Sequence, residues 1–288
     1  MIKNIKFMIN TASFKLKNLL LISLPLLLIF FRGVADITVL IIGLIFLYHS
    51  YNFNNWGWLK QKWFIFSLIF WLYLLLINSP LSTNSSESFL YSLAFIRWPL
   101  FAMALSMWLF YDHTSRKIFL IALLFTLSFV IIDVWWQYIF KYDLFGNPGL
   151  AKINRLTGPF RDNPVAGIFI ARYLFLILYL GYFIKYIQAP TKNTFFIFII
   201  FLLGVLSIYI TGERMALIIF IAGSFLISIG LFLQYKNIRK YIILSLFIII
   251  SLLVLAQQAF PKLHDRMIID LFYKLSNFSS SDYMLVFK

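Results

Sequence analysis

The sequence predicts an all-α protein, a polytopic transmembrane helix bundle of about nine spans, the first two short, with an amphipathic segment on the outer side at the C-terminus. Three observations predict it. The 288 residues are 62% hydrophobic, 20% aromatic and only 12% charged, with a mean hydropathy of +0.90. Soluble domains lie nearer 45–50% apolar and about 25% charged. Apolar runs long enough for membrane helices recur along the chain, separated by short polar stretches. Lysine and arginine gather in alternate stretches, as the positive-inside rule requires of a multi-pass protein.

The same composition excludes several function classes. A net charge of +15 would suit a nucleic-acid binder, but in a membrane chain it reads first as topological bias, and no nucleic-acid partner is expected. Alternating polar and apolar residues, the mark of a membrane β-barrel, are missing. With no cysteine, disulfides and thiol catalysis are excluded. The N-terminus has lysines before an apolar run, yet Pro25 and Arg32 interrupt it and no small-residue cleavage site follows. A retained first span is expected, not a signal peptide.

Taken in order, residues 1–18 carry Lys3, Lys6, Lys15 and Lys17 and read as a basic cytoplasmic tail. Residues 19–259 form the transmembrane helical domain. Its first apolar runs, 19–31 and 37–48, are short for a crossing of about 20 residues. They flank Arg32-Gly-Val-Ala-Asp36 and read as two tilted short spans or a shallow hairpin. Seven further spans are expected over 63–79, 89–111, 117–140, 165–186, 194–211, 214–234 and 241–259. Trp56, Trp58, Trp63, Trp135 and Trp136 fall where interfacial aromatic belts lie.

Thirteen cations fall on the cytoplasmic side in this arrangement: the four tail lysines, Lys60, Lys62, Arg116, Lys117, Lys185, Lys192, Lys236, Arg239 and Lys240. The rule fails in two places, the outer loop 141–164 and residues 260–288, and there function is sought. In the second, Leu263, Met267, Ile268, Leu271, Phe272 and Leu275 share one helical face, which predicts an interfacial amphipathic helix.

The loop ends in Arg155-Leu-Thr-Gly-Pro-Phe-Arg-Asp-Asn-Pro-Val-Ala-Gly167. Pro159 and Pro164 cannot donate backbone hydrogen bonds, and Gly158 and Gly167 permit close backbone approach, so a shaped loop is expected. Arg155 and Arg161 on it make a receptor for phosphate, whose oxygens match the guanidinium fork. The plain alternative is a connecting loop with solvated charges. Thr211-Gly-Glu-Arg214 is a second outer turn: Thr211 is placed to cap the following helix, Glu213 suits that helix's positive end, and Arg214 adds a cation to its N-terminus.

Three charges lie within the spans. Arg97, Asp133 and Arg172 each fall roughly 10–12 Å below the outer surface at 1.5 Å per residue. Their shared depth predicts that Asp133 pairs with at least one arginine, either as a structural lock or as a polar floor under a headgroup site. Pro99 should kink its helix near Arg97. His49 and His113 read as solvated, and His264 lies in the amphipathic segment. No Asp-x-Asp pair offers a divalent metal and no Gly-x-x-x-x-Gly-Lys loop a nucleotide, so neither metal nor cofactor is expected.

The 155–167 segment, a helix pair and then Ile210-Thr-Gly-Glu-Arg-Met-Ala216 resemble the O-antigen ligase and O-antigen polymerase family of bacterial membrane proteins. The topological likeness covers most of the chain; the motifs cover about 150–216. The resemblance implies metal-independent glycosyl transfer at the periplasmic face of the inner membrane. The donor would be an undecaprenyl-diphosphate-linked glycan, and the acceptor lipid A–core for a ligase or another glycan for a polymerase. It assigns diphosphate binding to Arg155 or Arg161 and to Arg214, with Arg172 contributing from below. Family members usually continue through a larger periplasmic loop bearing a functional histidine. This chain stops at Lys288, early in that loop, so a C-terminally truncated member is expected and no catalytic residue is assigned. The rival readings are a lipid-linked glycan transporter, which should show midplane charges and repeat symmetry, and a noncatalytic membrane scaffold.

Overall fold

The computed structural model describes residues 11–148, 155–183, 192–234 and 239–260. The regular elements among them are helices, and an isolated bridge joins Tyr142 to Pro148. Among the described residues, four helical stretches are long and apolar enough to cross a membrane: Gly33–Asn52, Ser85–Leu109, His113–Phe140 and Arg214–Leu233. Five shorter apolar helices accompany them. This is a membrane protein of helical build. The amphipathic helix expected after Pro261, with His264, lies outside the described residues.

The chain forms two compact units, Met1–Ala122 and Leu123–Lys288. In the first, α1 (Thr11–Phe30) and α2 (Arg32–Asn52) are joined by Phe31 alone. The stretch Arg32–Asp36, expected as a connection, is instead the opening of α2, and α1 reaches back to Thr11, into the expected tail. Helix formation carries these polar residues because each added residue gains one backbone hydrogen bond at little further cost. α3 (Lys62–Tyr73) runs into a π-helical turn over Leu74–Asn78. The next span is broken into α4 (Ser85–Phe95) and α5 (Arg97–Ala104), and a second π turn over Leu105–Leu109 extends α5. The break falls at Ile96 because Pro99 has no N–H for the Phe95 carbonyl and its ring crowds that group. α5 packs on α2, where Gly43 lets Leu100 approach.

α6 (His113–Phe140) begins in the first unit and continues into the second. Asp112 caps its start, accepting the Ser115 backbone N–H at 2.8 Å. In the second unit, α7 (Ala166–Phe183) packs against both α8 (Lys192–Ile210) and α9 (Arg214–Gln234), and α10 (Arg239–Ala259) lies on α8 and α9. Side chains from α7 fill the space left by glycines on its neighbours. A Cβ at Gly204 would lie 2.9 Å from Leu174, and one at Gly223 would lie 2.8 Å from Phe175. Ile170, Ala171, Leu174 and Ile177 bury the packed face of α7. Trp135 of α6 donates to the Ser207 hydroxyl of α8 at 3.0 Å, tying those two helices.

Candidate functional site

The site is built from the end of α6 outward. Asp133 and Gln137 stand four residues apart, hence on one face of the helix, and both are fully buried. Each holds a different stretch of the following loop. Asp133 Oδ1 accepts the Leu144 N–H at 2.7 Å. Residues 143–147 form a small turn around the buried Asp143, which accepts the N–H groups of Phe145 and Asn147 and the Asn147 side-chain amide. Gln137 Oε1 accepts two adjacent N–H groups, those of Thr157 and Gly158, both at 2.9 Å. Its Nε2 donates to the Thr157 hydroxyl at 3.3 Å.

Thr157, Gly158, Pro159 and Phe160 are thereby drawn into the protein and buried. Phe160 packs on Phe169 of α7 with ring centroids 5.1 Å apart. The backbone turns sharply here. Gly158 has φ 53°, open to glycine, with Val134 3.0 Å from where a Cβ would stand. Arg161 has φ 55° and ψ −119°, a conformation costly for any residue with a Cβ, and its side chain emerges exposed. The proline- and glycine-marked segment is thus the shaped loop that its composition predicts.

This loop is fastened to the 211–214 turn. The Leu156 N–H donates to the Thr211 carbonyl at 3.2 Å. Glu213, buried, reaches the N-terminus of α7 and accepts the N–H groups of Gly167 at 2.9 Å and Ile168 at 3.2 Å. Those N–H groups have no partner inside their own helix, and the helix dipole favours a carboxylate there. Burial pushes the Glu213 carboxyl above its ordinary range. The two backbone donors and the Arg155 guanidinium pull it partway back. Gly167 makes the approach possible, since a Cβ on it would lie 2.5 Å from the Thr211 hydroxyl.

The turn differs in detail from its sequence reading. The Thr211 hydroxyl donates to the Ile208 carbonyl at 2.7 Å and so closes α8 instead of capping α9. Glu213 caps the N-terminus of α7, a helix more than forty residues earlier in the chain, and not its own helix. Gly212, with φ 70°, reverses the backbone and aims Glu213 away from α9.

Of the arginines singled out in the sequence, Arg155 is half-buried beside Glu213, with its Nε lacking a hydrogen-bond partner. Arg214, half-buried, is the first residue of α9. Arg155, Arg161 and Arg214 therefore sit on two segments bound to one another. Arg172 is exposed along α7, two turns from that helix's start.

The expected buried charge network takes another form. Arg97 pairs with Asp36 of α2 at 3.3 Å and lies 5.4 Å from the Trp98 ring centre. Asp133 spends one oxygen on Leu144, leaves Oδ2 without a hydrogen-bond partner, and forms no ion pair with Arg172. A common depth fixes only position along a helix; the direction in which each side chain points about the axis decides its partner. His49, expected to be solvated, is half-buried and stacks on Phe53.

Sequence reasoning passed over Gln137 and Asp143. The first carried a usable signal: an amide four residues beyond an aspartate in an otherwise apolar helix predicts a shared polar face. Among the described residues no group of three or more His, Cys, Asp or Glu side chains could hold a metal ion. Compared with family models, curated proteins and solved structures, the chain matches none.

Proposed function

We propose that the loop 155–167 and the turn 211–214 form a clamp for a lipid-linked diphosphate, and that the protein is a multi-pass inner-membrane glycosyltransferase of the O-antigen ligase type. The observation that carries the reading is the fastening of one arginine-bearing segment to the other, by Leu156 on Thr211 and by Glu213 on the start of α7. Two segments more than forty residues apart thereby present Arg155, Arg161 and Arg214 from one scaffold.

The chemistry suits such a clamp. In the transfer, an acceptor hydroxyl oxygen bonds to the anomeric carbon of the donor glycan. The bond from that carbon to the diphosphate breaks, its electron pair leaves on phosphate, and the acceptor hydroxyl's proton passes to water or to the departing diphosphate. Fixed guanidinium groups stabilise the charge that develops there and take the part that a divalent metal plays in other transferases. The donor on this reading is an undecaprenyl-diphosphate-linked glycan and the acceptor lipid A–core, with the N-terminus cytoplasmic and the arginine loop periplasmic. A polymerase would use the same donor.

The test is binding of an undecaprenyl-diphosphate analogue to the full chain in detergent. Replacing Arg155, Arg161 or Arg214 by Ala should lower affinity, the strongest loss being roughly tenfold or more, as for a charge-assisted hydrogen bond. Arg214→Lys should be nearly as damaging as Arg214→Ala, because lysine keeps the charge but loses the two-pronged geometry. Unchanged affinity after all three substitutions would remove the clamp and move the transporter and scaffold readings ahead.

A further inference from the structure

We infer that Gln137 is the positioning residue of the diphosphate site: its single side-chain amide sets the backbone from which Arg155 and Arg161 project. The inference rests on the clamp reading above and adds to it a residue that touches no ligand. Gln137 is fully buried, and so is Thr157, the residue it holds at two points. Its Oε1 accepts from the N–H groups of Thr157 and Gly158 together, and Nε2 donates to the Thr157 hydroxyl. These two residues lie between the arginines, two positions after Arg155 and three before Arg161. Adjacent N–H groups can share one acceptor only where the chain curls round it, and here it does so through Gly158 at φ 53°. Pro159 follows and fixes the next φ.

An apolar side chain in place of Gln137 would leave two buried N–H groups without acceptors. The loop would meet that cost by turning them toward water, which carries the arginines out of register. α6 itself would lose little, because its own backbone bonds are untouched.

The absence of cysteine allows one reporter to be placed without a background signal. A spin label at Asn163→Cys, an exposed loop position, reads loop order, while affinity is measured for an undecaprenyl-diphosphate analogue and for inorganic pyrophosphate. Gln137→Leu should mobilise the label and weaken both probes roughly tenfold, the scale of one lost buried hydrogen-bond partner. Gln137→Asn, whose amide is drawn back by one methylene, should fall between and serves if the leucine variant does not fold. Trp135→Phe, which breaks the bond to Ser207 from a position two residues before Gln137, is the control for general loosening and should leave the label ordered and both affinities intact.

A Gln137→Leu protein with unchanged affinity, or one that weakens no more than the Trp135→Phe control, overturns the assignment and leaves the clamp standing. A loss confined to the lipid probe overturns it too, since positioning acts at the phosphates. If the unaltered protein binds neither probe, the clamp falls and this inference with it.

Discussion

Gly167 has no room for a methyl group. A Cβ there would come within 2.5 Å of the Thr211 hydroxyl, 3.1 Å of Ala216 and 3.2 Å of the Glu213 Cβ. None of these can retreat freely, because Thr211 Oγ1 is bonded to Ile208 and Glu213 is bonded to the backbone of residues 167 and 168. Gly167→Ala should therefore cost about 1–3 kcal/mol, the usual penalty of overpacking, and part the loop from the turn. A lower melting temperature in detergent, together with weaker binding of the diphosphate analogue, checks it. An alanine protein that melts like the original would mean that the two segments are not in close contact. At the same scale Glu213 shows how one side chain can bridge distant sequence: it is a loop carboxylate that serves as the cap of another helix.

At the scale of the element, the start of α6 is held by charge. The Lys17 ammonium of α1 pairs with Asp112, which also accepts the backbone N–H and the hydroxyl of Ser115. Burial pushes the Asp112 carboxyl up, but the bonds from Lys17 and Ser115 together outweigh it and leave it below its ordinary value. A folded-state value below the unfolded one means that the ionised form is favoured by folding. That stabilisation is present above about pH 4 and is lost as the pH falls through the lowered folded-state value. Melting curves of the original protein and of Asp112→Asn should accordingly differ near neutrality and converge in acid. A gap that persists at low pH would show that the ion pair is not the link between α1 and α6.

For the whole molecule the expected outcome is an orientation. The cytoplasmic side should carry the loop around Asn55, and the periplasmic side the loop around Asn163, both exposed positions. Single cysteines placed there, in a chain that has none of its own, should differ in intact spheroplasts. An impermeant maleimide should label Asn163→Cys and spare Asn55→Cys. The opposite pattern would put the arginine loop in the cytoplasm and remove a periplasmic transferase from consideration. The four described helices able to cross a membrane make the protein one of the membrane; the labelling fixes which way it faces.

Hydropathy by itself determined that the chain is helical and membrane-borne, because a backbone inside a bilayer must satisfy its hydrogen bonds within each segment. Helix positions followed closely as well: 117–140 was expected where His113–Phe140 stands, and 214–234 where Arg214–Gln234 stands. Pro99 marked the break before α5 for the same local reason, a missing donor on a known carbonyl. The 155–167 loop could be singled out as shaped, since glycine and proline act on their own backbone. Only the tertiary structure decided the partners. Arg97 meets Asp36, Glu213 caps α7 rather than its own helix, and Gln137 holds a stretch twenty residues away. Such pairings depend on which way each helix is turned about its axis and on how closely glycines let neighbours approach. Packing among helices sets both, and the local periodicity of the chain carries neither.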